Sequence, residues 1–223
     1  MICGNSMSPE KTTQQFKFSI PAPSGVLHGV VLMPQGQPRA IAVVAHPLPT
    51  MGGTMDNKIV TTLVKTFAEL GFIAVRFNFR GVGDSSGAYD DGNGEVDDVL
   101  AIVDYAYQEF GILPLILSGF SFGGYVQARA AEKLHPAKMV LIAPAVGRFA
   151  MPIVASNTLV IHGEMDEVVA LQEVLDWARP QRLPIVLVPE ATHFFHGYLP
   201  LLKSLVSHHF NGSELTISAS KAL

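Results

Sequence analysis

The feature that most constrains this 223-residue chain is an alternation of two residue patterns. Short runs of β-branched and aromatic residues recur at Phe16–Ile20, Val26–Leu32, Ala40–His46, Phe72–Phe77, Leu113–Ser118, Lys138–Ala143, Thr158–His162 and Ile185–Val188. Several are apolar on consecutive positions, such as Ile41-Ala42-Val43-Val44 and Leu115-Ile116-Leu117. Strands of that kind are covered on both faces, as in a parallel sheet flanked by helices. The intervening segments carry helical spacing. Asp56 or Asn57 can cap a helix presenting Ile59, Leu63, Phe67 and Leu70, and Gly71 stops it. Glu95 to Phe110 aligns Val96, Val99, Leu100, Val103 and Tyr107; further helices are expected over Tyr125–Leu134, Val168–Ala178 and His196–Phe210. The first two strands follow each other closely and read as an antiparallel lead-in. The expected fold is α/β: a mostly parallel eight-stranded sheet in one domain spanning 1–223, with tails at 1–15 and 211–223.

Composition removes several classes of function. Fifteen Lys and Arg against 19 Asp and Glu give a net charge of −4, which is no footprint for a nucleic-acid backbone. Hydrophobic residues are 48% and charged residues 15%, which excludes disorder. Charges, Pro and Gly interrupt every apolar run before it is long enough to span a membrane. A single cysteine, Cys3, can form neither an internal disulfide nor a cysteine-cluster metal site. Met1 to Gln15 lacks the continuous apolar segment of a secretory signal, so a cytoplasmic location is expected. The acidic set Asp90, Asp91, Glu95, Asp97 and Asp98 invites a calcium site, but its spacing is not that of an EF-hand and acids suit a helix N-terminus. No metal and no cofactor are expected.

The chemistry is concentrated at Gly119-Phe120-Ser121-Phe122-Gly123, a G-x-S-x-G sequence between an apolar strand and a helix. In that context the serine sits on a sharp turn that exposes its hydroxyl above the sheet. Such a turn requires an acid and then a histidine at the ends of later strands. Thr158–His162 runs into Gly163-Glu164-Met165-Asp166-Glu167, and Ile185–Val188 runs into Pro189-Glu190-Ala191-Thr192-His193. In a parallel sheet both loops leave the same edge as Ser121.

These residues resemble the α/β-hydrolase superfamily, and within it the small lidless bacterial branch related to dienelactone hydrolases and serine esterases. The matching stretches are His46-Pro47-Leu48-Pro49 with Gly52-Gly53, Arg76 to Gly83, Gly119 to Gly124, His162-Gly163 with Asp166 to Val169, and Thr192 to Phe195. The similarity covers nearly all of Phe18 to Phe210. It implies Ser121 as nucleophile and His193, in the loop before the last helix, as base, with His196 the competing histidine. It favours Asp166 as the acid that orients the imidazole, with Glu164 and Glu167 as neighbours that could substitute. Dienelactone hydrolases carry a cysteine nucleophile where this chain has Ser121, which points away from a dienelactone substrate.

An oxyanion hole needs two aligned N–H donors. The residue after the nucleophile supplies one, Phe122. The second is expected in His46-Pro47-Leu48-Pro49, where the prolines have no N–H and Leu48 remains. This stretch resembles an H-G-x-P loop with Pro47 in place of glycine. Met51, Phe120 and Phe194 flank the site and are expected to line a substrate pocket. His46, His135 and His162 are read as structural. Only 14 residues, 144–157, separate two strands where relatives insert a lid, so an open site and small soluble acyl substrates are expected. The resulting expectation is a serine hydrolase of small carboxylic esters. Thioester, amide or carbon–carbon cleavage on the same residues is the alternative, and a non-catalytic binding protein is a third.

Overall fold

A computed structural model describes residues 14–212 and 214–217. Eight strands form one sheet: β1 (Gln15–Ala22), β2 (Gly25–Leu32), β3 (Ala40–Ala45), β4 (Phe72–Phe77), β5 (Leu115–Phe120), β6 (Lys138–Ile142), β7 (Leu159–Gly163) and β8 (Ile185–Val188). Their spatial order is β1-β2-β4-β3-β5-β6-β7-β8. β2 runs antiparallel to both β1 and β4, and all other pairs are parallel. Five helices connect them: α1 (Lys58–Glu69), α2 (Asn93–Phe110), α3 (Phe122–Leu134), α4 (Leu171–Ala178) and α5 (Leu199–Phe210).

Every residue of β3 and β5 is buried, because each lies between two strands and beneath helices on both faces. Alternate side chains serve opposite cores. Ile41, Val43, Leu115 and Leu117 pack with α2, α3 and α4, while Ala42, Val44 and Ile116 pack with α1 and α5. On the second face Phe67, Phe72 and Phe210 form a triangle with ring centroids 5.4–6.1 Å apart. Burying an aromatic ring of this size stabilises the fold by about 2–3 kcal/mol.

The strand order positions the site. The chain leaves β3 through α1 to reach β4 on one side, then returns through α2 to place β5 on the other. The reversal opens a crevice at the carboxyl ends of β3 and β5, where ligands bind in open α/β sheets. The 143–158 connection after β6 contains no helix, so this connection places no helical lid over the crevice.

Several boundaries differ from expectation. Gln15, assigned to the N-terminal tail, opens β1 opposite Leu32. Residues 1–13, with Cys3, lie outside the described residues, as do Ser213 and 218–223 of the C-terminal tail; Leu215 packs against the α1/α5 core. Helix α4 starts at Leu171 rather than Val168, because Val168 and Val169 turn their N–H groups to Asp166. Helix α5 starts at Leu199, after a Phe195–Tyr198 turn, and α3 already at Phe122. On α2 the buried face is Val99, Ile102, Val103 and Ala106, leaving Leu100 and Tyr107 partly exposed.

Candidate active site

Ser121 follows the last residue of β5 and precedes the first of α3, with φ 54° and ψ −117°. A non-glycine residue there is strained by roughly 1–3 kcal/mol and persists only where its surroundings over-determine it. Its N–H donates to Ile142 O at 2.9 Å, and its carbonyl accepts from Gly124 N, Tyr125 N and Ala145 N. The turn also demands two glycines. A Cβ on Gly119 would lie 2.3 Å from the Gly123 carbonyl, and one on Gly123 only 2.4 Å from Ala45 O. Gly124 is under no such restriction, since its nearest neighbour would be at 3.4 Å.

Three loops meet above this turn. The Ser121 hydroxyl donates to His193 Nε2 at 3.1 Å, and His193 Nδ1 donates to Asp166 Oδ2 at 2.8 Å. Asp166 Oδ1 accepts from Val168 N at 2.9 Å and Val169 N at 2.7 Å. Burial pushes the Asp166 carboxyl up, but the hydrogen bonds from His193, Val169 and Val168 together hold it below the usual carboxylate range. All three side chains are buried or nearly so. Hydroxyl, imidazole and carboxylate are thus brought into one hydrogen-bonded line from positions 45 and 27 residues apart along the 223-residue chain.

The competing residues go elsewhere. Glu164 Oε2 accepts from Glu190 N at 3.0 Å and Glu167 Oε2 from His193 N at 3.2 Å, so both tie the acid loop to the histidine loop. His196 is exposed, its ring 6.0 Å from that of Phe194. It faces a cavity of about 270 Å³ that is also lined by Gly52, Asn57, Lys58 and Phe194.

The loop after β3 is held from beneath by His46. Its Nδ1 donates to Pro47 O at 2.7 Å, and its Nε2 accepts from Phe79 N at 3.1 Å. Burial drives its pKa down to about 4, against a smaller upward pull from the Pro47 carbonyl, so the ring is neutral. Beyond it, Leu48 O accepts from Met51 N and Gly53 N, and a Cβ on Gly53 would collide with Pro47 O. The Leu48 amide has no acceptor among the described residues. The Phe122 amide, at the first position of α3, lies outside the helical ladder at the positive end of the helix. The contact of Gly123 with the Ala45 and His46 carbonyls brings these two segments side by side.

The expected pocket residues separate. Phe120 is 0% exposed and so cannot line a substrate surface; its ring lies 5.0 Å from His193 and backs the imidazole. Its position at the end of a fully covered strand accounts for this. Phe194 is 45% exposed and packs edge-on against both His193, at 5.1 Å, and Phe120, at 6.2 Å, and Met51 is 80% exposed. The acidic set is used structurally. Glu95 accepts from Asp90 N and Gly92 N, while buried Asp98 pairs with Arg80 at 2.7 Å. That pairing anchors the loop after β4, and nothing in the local sequence signals it.

Comparison with known proteins bears on the fold and the family. Residues 36–156 match the family model described as serine aminopeptidase, S33. A lidless α/β serine hydrolase of Xanthomonas campestris is 38% identical, with 92% of this chain and 97% of that one covered at a TM-score of 0.84. An α/β serine hydrolase homologue from Coxiella burnetii is 36% identical, covering 93% and 100% at a TM-score of 0.81. An uncharacterised protein of Rickettsia prowazekii (strain Madrid E) is 28% identical over 218 residues, 86% of this chain and 92% of its own length. With a sheet, a crevice and a serine turn of this kind, the chain belongs to the α/β-hydrolase superfamily, on its lidless serine hydrolase side.

Proposed function

We propose that the protein hydrolyses small carboxylic esters through an acyl-enzyme, with Ser121 as nucleophile, His193 as general base and Asp166 as the acid that orients it. The observation that carries this reading is the unbroken hydrogen-bonded line from Ser121 Oγ through His193 to Asp166 Oδ2. Ser121 Oγ attacks the acyl carbon while its proton passes to His193 Nε2. The resulting oxyanion is held by the Leu48 and Phe122 amides, and Asp166 stabilises the imidazolium. As the carbon–oxygen bond breaks, His193 returns that proton to the departing alkoxide. Water then attacks the acyl-enzyme, giving its proton to His193, and the acid leaves as Ser121 recovers its own. The helix-free connection after β6 supports short, soluble substrates that need no lid.

The experiment is hydrolysis of p-nitrophenyl acetate by wild type and Ser121→Ala, alongside labelling by a fluorophosphonate probe. A loss of about 10⁴-fold or more in kcat and of all labelling is expected. Retention of most of the activity overturns the assignment. The match of residues 36–156 to a serine aminopeptidase model favours amide cleavage as a second reading. Comparing kcat/KM on p-nitrophenyl acetate and alanine p-nitroanilide separates them, since an amine must be protonated before it can leave.

A further inference from the structure

His162 is the last side chain of β7 before Gly163, fully buried and beneath the acid loop. Its Nε2 lies 3.1 Å from Val169 O, to which it donates, and 3.7 Å from Asp166 Oδ2. Its Nδ1 is buried and has no hydrogen-bond partner among the described residues. An imidazole with one nitrogen orphaned is a poor core filler, because an apolar side chain of similar size would leave nothing unsatisfied. The position therefore makes sense through the one bond that is made.

That bond falls in the second half of the acid loop, which among the described residues has no backbone–backbone bond to the histidine loop. The first half of the loop is zipped to the histidine loop by backbone bonds from Glu164 N to Val188 O and from Met165 N to Ala191 O. The second half, 166–169, is gathered around Asp166, whose carboxylate accepts from Val168 and Val169 and whose N–H donates to Gly163 O at 3.3 Å, while Glu167 Oε2 accepts from the His193 amide. Val169 is shared: its N–H goes to Asp166 and its carbonyl to His162. The His162 bond holds the far end of this turn, at Val169, to β7, so the carboxylate gripped by the Val169 amide is held with it. Burial lowers the basicity of His162, while Asp166 and the Val169 carbonyl pull the other way. The net direction keeps the ring neutral, so it does not compete with His193 for the Asp166 charge.

We propose that His162 is a positioning residue for Asp166, acting through the Val169 carbonyl to hold the carboxylate in line with His193. The proposal rests on the reading of Ser121, His193 and Asp166 as a working triad. The test is a set of variants assayed on p-nitrophenyl acetate: His162→Phe, His162→Gln, Asp166→Asn and the double variant His162→Phe/Asp166→Asn. Displacing a catalytic group by a fraction of an ångström to 1 Å costs up to about 10²-fold. His162→Phe is expected to lower kcat about 10- to 100-fold with KM unchanged. His162→Gln, whose amide can donate from nearly the same point, restores kcat to within about fivefold of wild type. In the Asp166→Asn background, His162→Phe has no further effect, because the group it positions is already disabled.

Equal losses in the presence and absence of the Asp166 carboxylate overturn the proposal, as does a His162→Phe variant with wild-type kcat. Thermal unfolding of each variant accompanies the assays. If His162→Phe does not fold, the comparison of His162→Gln with the corresponding Asp166→Asn double variant decides, and a kcat for His162→Gln at the level of Asp166→Asn counts against the proposal. Failure of the triad reading is distinguishable, since wild type would then lack Ser121-dependent fluorophosphonate labelling altogether.

Discussion

The loops after β3 and β7 each have a fully buried histidine at their root, yet the two are braced differently. His46 uses both ring nitrogens, one on Pro47 O and one on the Phe79 amide. His162 uses one, and the carboxylate at the centre of its loop gathers the Val168 and Val169 amides. The difference fits what each loop would present in the proposed mechanism. An oxyanion donor is a backbone N–H, so the main chain itself must be rigid; two prolines, two bonds to Leu48 O and the close approach at Gly53 supply that rigidity. A carboxylate needs only its own rotamer and one turn fixed, and it can organise that turn by accepting the turn's amides. Stiffness is concentrated in the loop proposed to act through its peptide group.

The comparison breaks most visibly at Leu48. Its φ of −52° already suits proline, and its amide has no acceptor among the described residues, so Leu48→Pro removes the donor with little change to the path of the chain. A loss of about 10²–10³ in kcat is expected, with KM nearly constant. Steady-state assays beside a circular-dichroism spectrum check it, and a variant as active as wild type would remove Leu48 from the oxyanion hole.

A smaller effect concerns stability and its pH dependence. The folded pKa of His46 is about 4 against 6.5 for the free side chain, so between those values the unfolded chain binds a proton that the folded one does not. Stability therefore falls as pH drops from about 6.5 to about 4, by up to about 3 kcal/mol from this residue. His162 is shifted in the same direction, and Asp166, depressed instead, contributes a loss only below 3.8. Urea unfolding at pH 7, 5.5 and 4.5 should show a shallower slope for His46→Gln than for wild type. Identical slopes would show that the loop after β3 is not the acid-sensitive one.

The smallest effect sharpens the acid side. Glu167 Oε2 accepts from the His193 amide, a tie between loops that the β3 loop has no need of. Glu167→Ala is expected to cost about 0.5–1.5 kcal/mol in urea unfolding and less than about tenfold in kcat. A loss as large as that of Asp166→Asn would mean that Glu167 is the working acid.

The eight strands were legible because a strand covered on both faces must be apolar at successive positions, as Ile41 to Val44 are. Helix starts were less legible. Val168 to Ala170 carry helical spacing, but the Asp166 carboxylate captures two of their amides, a competition invisible to periodicity. Ser121, Asp166 and His193 could be picked out because each sits just past a readable strand, in the order the serine turn requires. Choosing Asp166 over Glu164 and Glu167 needed family resemblance, since three carboxylates within four positions are equivalent to any reading of spacing. Their separation into one partner of the imidazole and two anchors of the facing loop is a matter of ångströms.

By itself the amino-acid sequence determined the layered architecture, the shortness of the connection after β6 and the place of the serine turn. These are local properties, set by hydrophobic period, segment length and the residues that a sharp turn tolerates. Only the tertiary structure decided that Phe120 backs His193 instead of facing a substrate, that Arg80 holds Asp98, and that His46 and His162 brace the two loops. Each of those depends on which residues from distant segments share a buried space. There a polar group must find its partner, and the identity of that partner is written in the packing alone.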